Sequence, residues 1–461
     1  MDPQRGNLNS QIKSNGSVGF LVSLGRITPQ PITNIFWITL LLVIVSPLIV
    51  SKSYPDVIQA WGKGFISQYP FAMEIILIFG TGYVLALTKP VKSLLKSFAS
   101  LPKNVTQAAV LIGVISLVLS WFNWALGFVG GVFLAREIAK LFKQNQIRAK
   151  YSVLITAVAA SLLTWENGLS GIVPLSLAQE GNFIAKQFSV VPVSETIISI
   201  PNIITTLLLL VGVIIAMSVI GKSVQNGPDI EELSLEGPGE EDSGSEVGAS
   251  AESKTTLAIW LENAQILNIV TALVAFIGIA GLFAAGGTLT IDNYLFMALF
   301  LGLLLCKRPM EYAEQFGNSV RFIWGFATVL VLFAGVQGVV NYTGLAELIS
   351  GWLIGIGSQQ TFPLITFIVS AIMNLIMPIT GAQWMVQGQF LAQAGSGLSV
   401  PLSVTSLAFV YGAGWAKLIE VSLVVQLLGI PELKDFNLAK NLSIMALISL
   451  VIFVFSLLVL F

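Results

Sequence analysis

Nine apolar runs, each long enough to cross a bilayer, dominate the chain: 32–50, 71–88, 151–173, 197–220, 259–284, 289–305, 320–341, 401–428 and 438–460. A spanning helix needs about 20 predominantly apolar residues. Runs of this length are incompatible with a water-soluble globule. The charge content agrees: 10% of the 461 residues are charged, against about 25% in soluble proteins. Such a chain cannot cover its surface in water, so its solvent is the lipid bilayer. With a net charge of −1 it has no basic field for nucleic acid.

Absent residue types exclude several chemistries. There is no histidine, hence no Ser-His triad, no HExxH zinc site and no histidine proton relay. Cys306 is the sole cysteine, so no disulfide can form within the chain. No aspartate lies in the middle of an apolar run, which argues against an aspartyl protease pair. Gly221-Lys222-Ser223 resembles the end of a phosphate loop, but Ala216 stands where that loop needs its first glycine. The chain reads as a non-enzyme.

Two further apolar stretches do not fit as simple spans. Segment 105–135 is flanked by Lys89, Lys92, Lys96 and Lys103 on one side and by Arg136, Lys140, Lys143, Arg148 and Lys150 on the other. Basic loops stay cytoplasmic, so both ends share a side. Two full spans need roughly 40 residues, and the middle is polar at Ser120-Trp121-Phe122-Asn123-Trp124. The expectation is a re-entrant inner hairpin. Segment 361–395 is broken by Asn374, Pro378, Thr380, Gly381 and Gln383, and its flanks carry no Lys or Arg. It is expected to be an outer hairpin. With the N-terminus cytoplasmic and the C-terminus outside, the inner segments hold 19 of the 23 Lys and Arg.

These features predict an all-α polytopic membrane protein: about nine transmembrane helices, two re-entrant hairpins and two broken helices. Residues 1–31 form a cytoplasmic segment and 32–221 a first membrane repeat. Residues 222–256 form an acidic linker too poor in apolar residues to fold. Residues 257–461 hold one extra helix and a second repeat. The same element series entered from opposite sides marks an inverted-repeat secondary transporter. A spacing supports the repeat: 43 residues beyond Asn123 and Asn374 stand Glu166 and Lys417. Each lies in a polar, Gly-containing segment read as a helix break, Thr164–Ser170 and Tyr411–Lys417. Facing each other, the two charges would neutralise one another.

An organic anion carrier must replace the water around a carboxylate, and helix N-termini, amides and hydroxyls do this. The candidates are Ser120, Asn123, Thr164, Asn167, Ser170, Asn374, Thr380, Gln383, Gln387 and Tyr411, with Trp124, Trp165, Trp384 and Trp415 as an apolar wall. Glu166 and Lys417 are the charged residues inside polar segments of the spans.

The run Lys89–Leu95, the run Asn123-Trp124-Ala125-Leu126-Gly127 to Glu137, Leu163-Thr164-Trp165 with Gly168–Gly171, and Trp384–Gly388 resemble the bacterial short-chain fatty acid transporter family. These carriers are associated with acetoacetate and butyrate uptake, within the wider ion-transporter superfamily of carboxylate carriers. The resemblance spans most of 32–461. It implies a small monocarboxylate substrate, symport with Na⁺ or H⁺ and a bacterial inner membrane location. Another small organic anion, or an anion channel, is the alternative. A homo-oligomer fits such a carrier. Sodium would sit near Asn123 and Asn374, whereas H⁺ would use Glu166. This sequence departs from the family pattern at several places. A Ser-Gly-Gly-Gly-His-Trp type of run is here Ile379-Thr380-Gly381-Ala382-Gln383-Trp384. The acid of a Tyr-Gly-Glu-Gln-Trp type of run is missing at Tyr411–Trp415. Glu166 stands where a glycine is expected.

Overall fold

The computed structural model describes residues 31–184, 187–223, 256–420 and 436–461. The N-terminal segment and most of the acidic linker lie outside them. Among the described residues the chain is all-helical. Seven helices are long and apolar enough to cross a membrane, eight with the bent helix 309–342 counted.

The first half begins with α1 (Pro31–Val50), α2 (Tyr54–Ser67) and α3 (Tyr69–Leu87). Prolines at the first turns of α2 and α3 set their starts. A capping box of Ser53 and Asp56 closes the N-terminus of α2. Next come the amphipathic α4 (Lys89–Ala99) and a hairpin of α5 (Val105–Phe122) and α6 (Trp124–Gln144). The hairpin is longer than the sequence suggested. Its apolar return arm ends near Ala135, but the helix runs on through the basic residues to Gln144. Glu137 stabilises this extension, lying 3.4 Å from Lys140 and 3.9 Å from Lys96. Only about 12 residues of α6 are apolar, roughly 18 Å at 1.5 Å per residue, which is too short to span.

Run 151–173 is broken as expected: α7 (Tyr151–Val158), a 3-10 turn (Ala159–Leu163), the turns of Thr164–Gly171, then the short α8 (Ile172–Leu177). The first half closes with α9 (Ile200–Ser223). The second half contains α10 (Leu257–Asn263), α11 (Gln265–Ala284), α12 (Ile291–Leu305) and α13 (Pro309–Tyr342). Helix α13 bends by 54° between Ile323 and Thr328. Gly344, with φ of 99°, turns the chain into α14 (Leu345–Ile356), a left-handed conformation that favours glycine. A second hairpin follows, α15 (Phe362–Asn374) and α16 (Thr380–Gly397), then α17 (Leu402–Ile419) and α18 (Phe436–Val459).

The break expected at Tyr411–Lys417 is not there: α17 is one continuous helix through that segment. Its glycines serve packing instead. A Cβ on Gly412 would fall on the Phe367 carbonyl of α15. Glycine in a membrane helix signals either a break or a close approach, and here it is the approach. The two halves still correspond in contact. Ser120 of α5 donates to the Ser161 carbonyl of the following span at 2.7 Å, and Ser370 of α15 donates to the Phe409 carbonyl of α17, also at 2.7 Å.

Candidate functional site

The candidate residues form two buried hydrogen-bonded groups. The first surrounds the tip of hairpin α5–α6. Asn123 ends α5 and caps α6, its Oδ1 accepting from the backbone N–H of Ala125 and Leu126 at 3.0 and 3.1 Å. Its Nδ2 donates to Tyr294 Oη at 2.7 Å and to the Ile78 carbonyl at 3.3 Å. The Tyr294 hydroxyl in turn donates to the Phe122 carbonyl at 3.0 Å. Both polar atoms of the Asn123 amide are thus occupied. A Cβ on Gly82 of α3 would land on this amide, so the glycine lets the tip approach α3.

The broken span wraps the same tip. Ser170 Oγ accepts from the Trp124 N–H at 2.9 Å, Thr164 Oγ1 donates to the Leu117 carbonyl at 2.8 Å, and the Leu169 N–H donates to the Trp121 carbonyl at 2.6 Å. Trp124 and Trp165 stack with centroids 4.1 Å apart and planes at 9°. Asn167 donates to Asn202 Oδ1 at 3.2 Å, and Tyr411 of the second half donates to the same oxygen at 2.8 Å.

Glu166 and Lys417 meet at the centre of this group, Nζ donating to Oε1 at 3.0 Å, with both side chains 3% exposed. Lys417 Nζ also lies 4.3 Å from the Trp165 ring centroid, in cation–π range. Lys417 occupies the last turn of α17, where a cation complements the negative helix end. Glu166 comes from the open turns between the 3-10 turn and α8. The contact bridges the two halves of the chain, 251 residues apart in sequence.

The second group lies in hairpin α15–α16. Asn374 Nδ2 donates to Gln383 Oε1 at 2.8 Å, and Gln383 Nε2 donates to Gln387 Oε1 at 2.9 Å and to the Ser370 carbonyl at 2.8 Å. Asn374 Oδ1 and Thr380 Oγ1 are buried without a partner. The N-terminus of α16 has no side-chain cap. Trp384 is fully buried, 4.8 Å from Phe409 between ring centroids.

Among the described residues no hydrogen bond joins the two groups. Trp415 belongs to neither: its indole N–H donates to the Ala446 carbonyl of α18 at 2.8 Å. Tyr294, Asn202 and Ser370 complete the networks and were not singled out from the sequence. For Asn202 and Tyr294 the available signal was a hydrogen-bonding side chain inside a strongly apolar run. Among the described residues no group of three or more acidic, histidine or cysteine side chains could hold a metal ion. Of the two asparagines, Asn374 keeps a free carbonyl oxygen and Asn123 does not.

An all-helical, multi-span chain with paired hairpins and a charge pair closed between its halves falls in the class of membrane transporters. The fold matches the crystal structure of the YdaH transporter of Alcanivorax borkumensis, described as having an unusual topology. The TM-score is 0.56 at 15% identity, covering 93% of this chain and 98% of that one. The chain belongs to the short chain fatty acid transporter family, which it matches over residues 15–461. Two curated relatives are each named "Putative short-chain fatty acid transporter". The one from Escherichia coli (strain K12) is 30% identical over 399 residues, 86% of this chain and 88% of the relative. The one from Haemophilus influenzae is 27% identical over 419 residues, 89% and 91% of the respective chains.

Proposed function

We propose that the protein is a secondary active carrier of short-chain fatty acids or related small monocarboxylates, working by alternating access in a bacterial inner membrane. The observation that carries this reading is the placement of Lys417. Its ammonium is buried on Glu166 and over the Trp165 indole, which stacks on Trp124, at the junction of the halves. A cation answers a carboxylate, and an aromatic wall answers a short alkyl chain. The names of the relatives point to the same substrate class. A buried junction, with both charged side chains 3% exposed, favours a carrier over an open anion pore. Movement would be of the hairpin-bearing elements against α1–α3 and α13, with the N-terminus cytoplasmic and the C-terminus outside.

The test is counterflow. Proteoliposomes loaded with unlabelled butyrate or acetoacetate should take up the radiolabelled compound faster than protein-free vesicles, with saturation. Flux that rises linearly with concentration would mean a channel. No flux above that of empty vesicles with either compound would reject the substrate class.

A further inference from the structure

The Glu166–Lys417 pair is not a fully satisfied structural bridge. Lys417 has three donors and uses one of them on Glu166 Oε1. Glu166 Oε2 is buried with no partner, as are the indole N–H groups of Trp124 and Trp165. A pair present only for stability would be expected to have its remaining lone pairs and protons met by hydrogen bonds, because desolvation otherwise outweighs the attraction. Unmet donors and an unmet carboxylate oxygen thus occur on neighbouring side chains, since Trp124 stacks on Trp165 and Trp165 packs against Lys417 Nζ.

We propose that Glu166 and Lys417 form an exchangeable ion pair that couples one proton to one carboxylate. This rests on the carrier reading above. The substrate carboxylate takes the place of Glu166 on Lys417 Nζ, and the Glu166 carboxylate takes a proton from hydronium in the adjoining solution, whose O–H bond breaks to leave water. No covalent bond other than the new O–H bond of Glu166 forms, and charge balances at each end. Before exchange the site holds Lys417 as a cation and Glu166 as an anion. Afterwards it holds the same cation, the substrate anion and a neutral Glu166 acid. Neither state leaves an uncompensated buried charge, which is the costly alternative in a membrane. A carboxylate arriving without a proton would place two anions on one cation. A proton arriving alone would leave Lys417 unpaired. The two are therefore bound together, and the cotransport is electroneutral.

The surroundings allow this assignment. Of the elements packed on α17, the 3-10 turn, α8, α15 and α16 carry no ionisable side chain, and Lys440 of α18 is exposed. On α17 itself, Tyr411 is engaged by Asn202. Glu420 follows the helix end within Coulombic reach of Lys417. It is the second acid near the cation and the control for the first.

The experiment is calorimetric titration of the purified full-length protein with sodium butyrate, at several pH values and in buffers of different ionisation enthalpy. Wild type should take up one proton per butyrate, and its apparent Kd should rise about tenfold per pH unit once Glu166 is ionised in the free protein. Glu166→Gln should bind butyrate with no proton uptake and no such pH dependence, whereas Glu420→Gln should keep both. Lys417→Met should not bind. The double variant Glu166→Gln/Lys417→Met leaves no charge unpaired; it should purify as wild type and also not bind. Butyrate binding to wild type without proton uptake, wild-type pH dependence in Glu166→Gln, or binding by the double variant would overturn the exchange while leaving the carrier reading intact. Failure of wild type to bind either butyrate or acetoacetate would overturn the substrate class, and the exchange with it.

Discussion

The two hairpins start from equivalent asparagines and use them differently. In hairpin α5–α6 the break is the single residue Asn123, whose amide caps the outgoing helix and holds α3 and α12. In hairpin α15–α16 the break runs from Leu375 to Ile379, and no side chain caps the outgoing helix. Asn374 turns instead toward Gln383 and keeps its carbonyl oxygen free. At the first tip the asparagine amide is fully bonded. The second has unmet polar atoms at an open helix N-terminus. Pseudo-symmetric elements can therefore divide the work, one fixing geometry and the other left able to rearrange.

The outcome that would break this comparison altogether is topological. Single cysteines introduced as Ser93→Cys and Lys143→Cys, in a Cys306→Ser background, should react with an impermeant maleimide from the same, cytoplasmic side. Labelling from opposite sides would make the first hairpin a span. Next in size is the effect on stability of the asparagines. Asn123→Ala removes a cap and the partners of Tyr294 and the Ile78 carbonyl, so it should cost about 2–4 kcal/mol. Asn374→Ala should cost about 1 kcal/mol. Both are read from thermal unfolding in detergent, and equal losses would erase the asymmetry. The smallest contrast is steric. A Cβ at Gly127 would meet the Ser120 backbone across the first hairpin, whereas at Gly381 it would meet the flexible end of Ile75. Gly127→Ala should therefore destabilise by about 1–3 kcal/mol, and Gly381→Ala by less.

Much of this architecture was legible in the sequence because charge and apolar length report directly on the bilayer. The basic flanks of 105–135 announced a hairpin, and Thr164–Ser170 announced the broken span. The equal 43-residue offset from the two asparagines identified Glu166 and Lys417, which the structure brings into contact. Other features were not legible. Gly412 and Gly414 were read as a break, since sequence cannot distinguish a glycine that ends a helix from one that admits a neighbour. Helix α2 was missed because its capped, half-polar segment resembles a loop on hydropathy alone. Tyr294 and Asn202 reach partners far along the chain, so neither has a local pattern.

One buried charge pair joins both halves, and a double-mutant cycle of thermal stability measures whether its members act on each other. Glu166→Gln and Lys417→Met each strand a charge that is 3% exposed, and each should cost about 3–5 kcal/mol. The double variant should unfold at a higher temperature than either single one. Losses that simply add would show that the two residues act independently, with no buried pair between the halves.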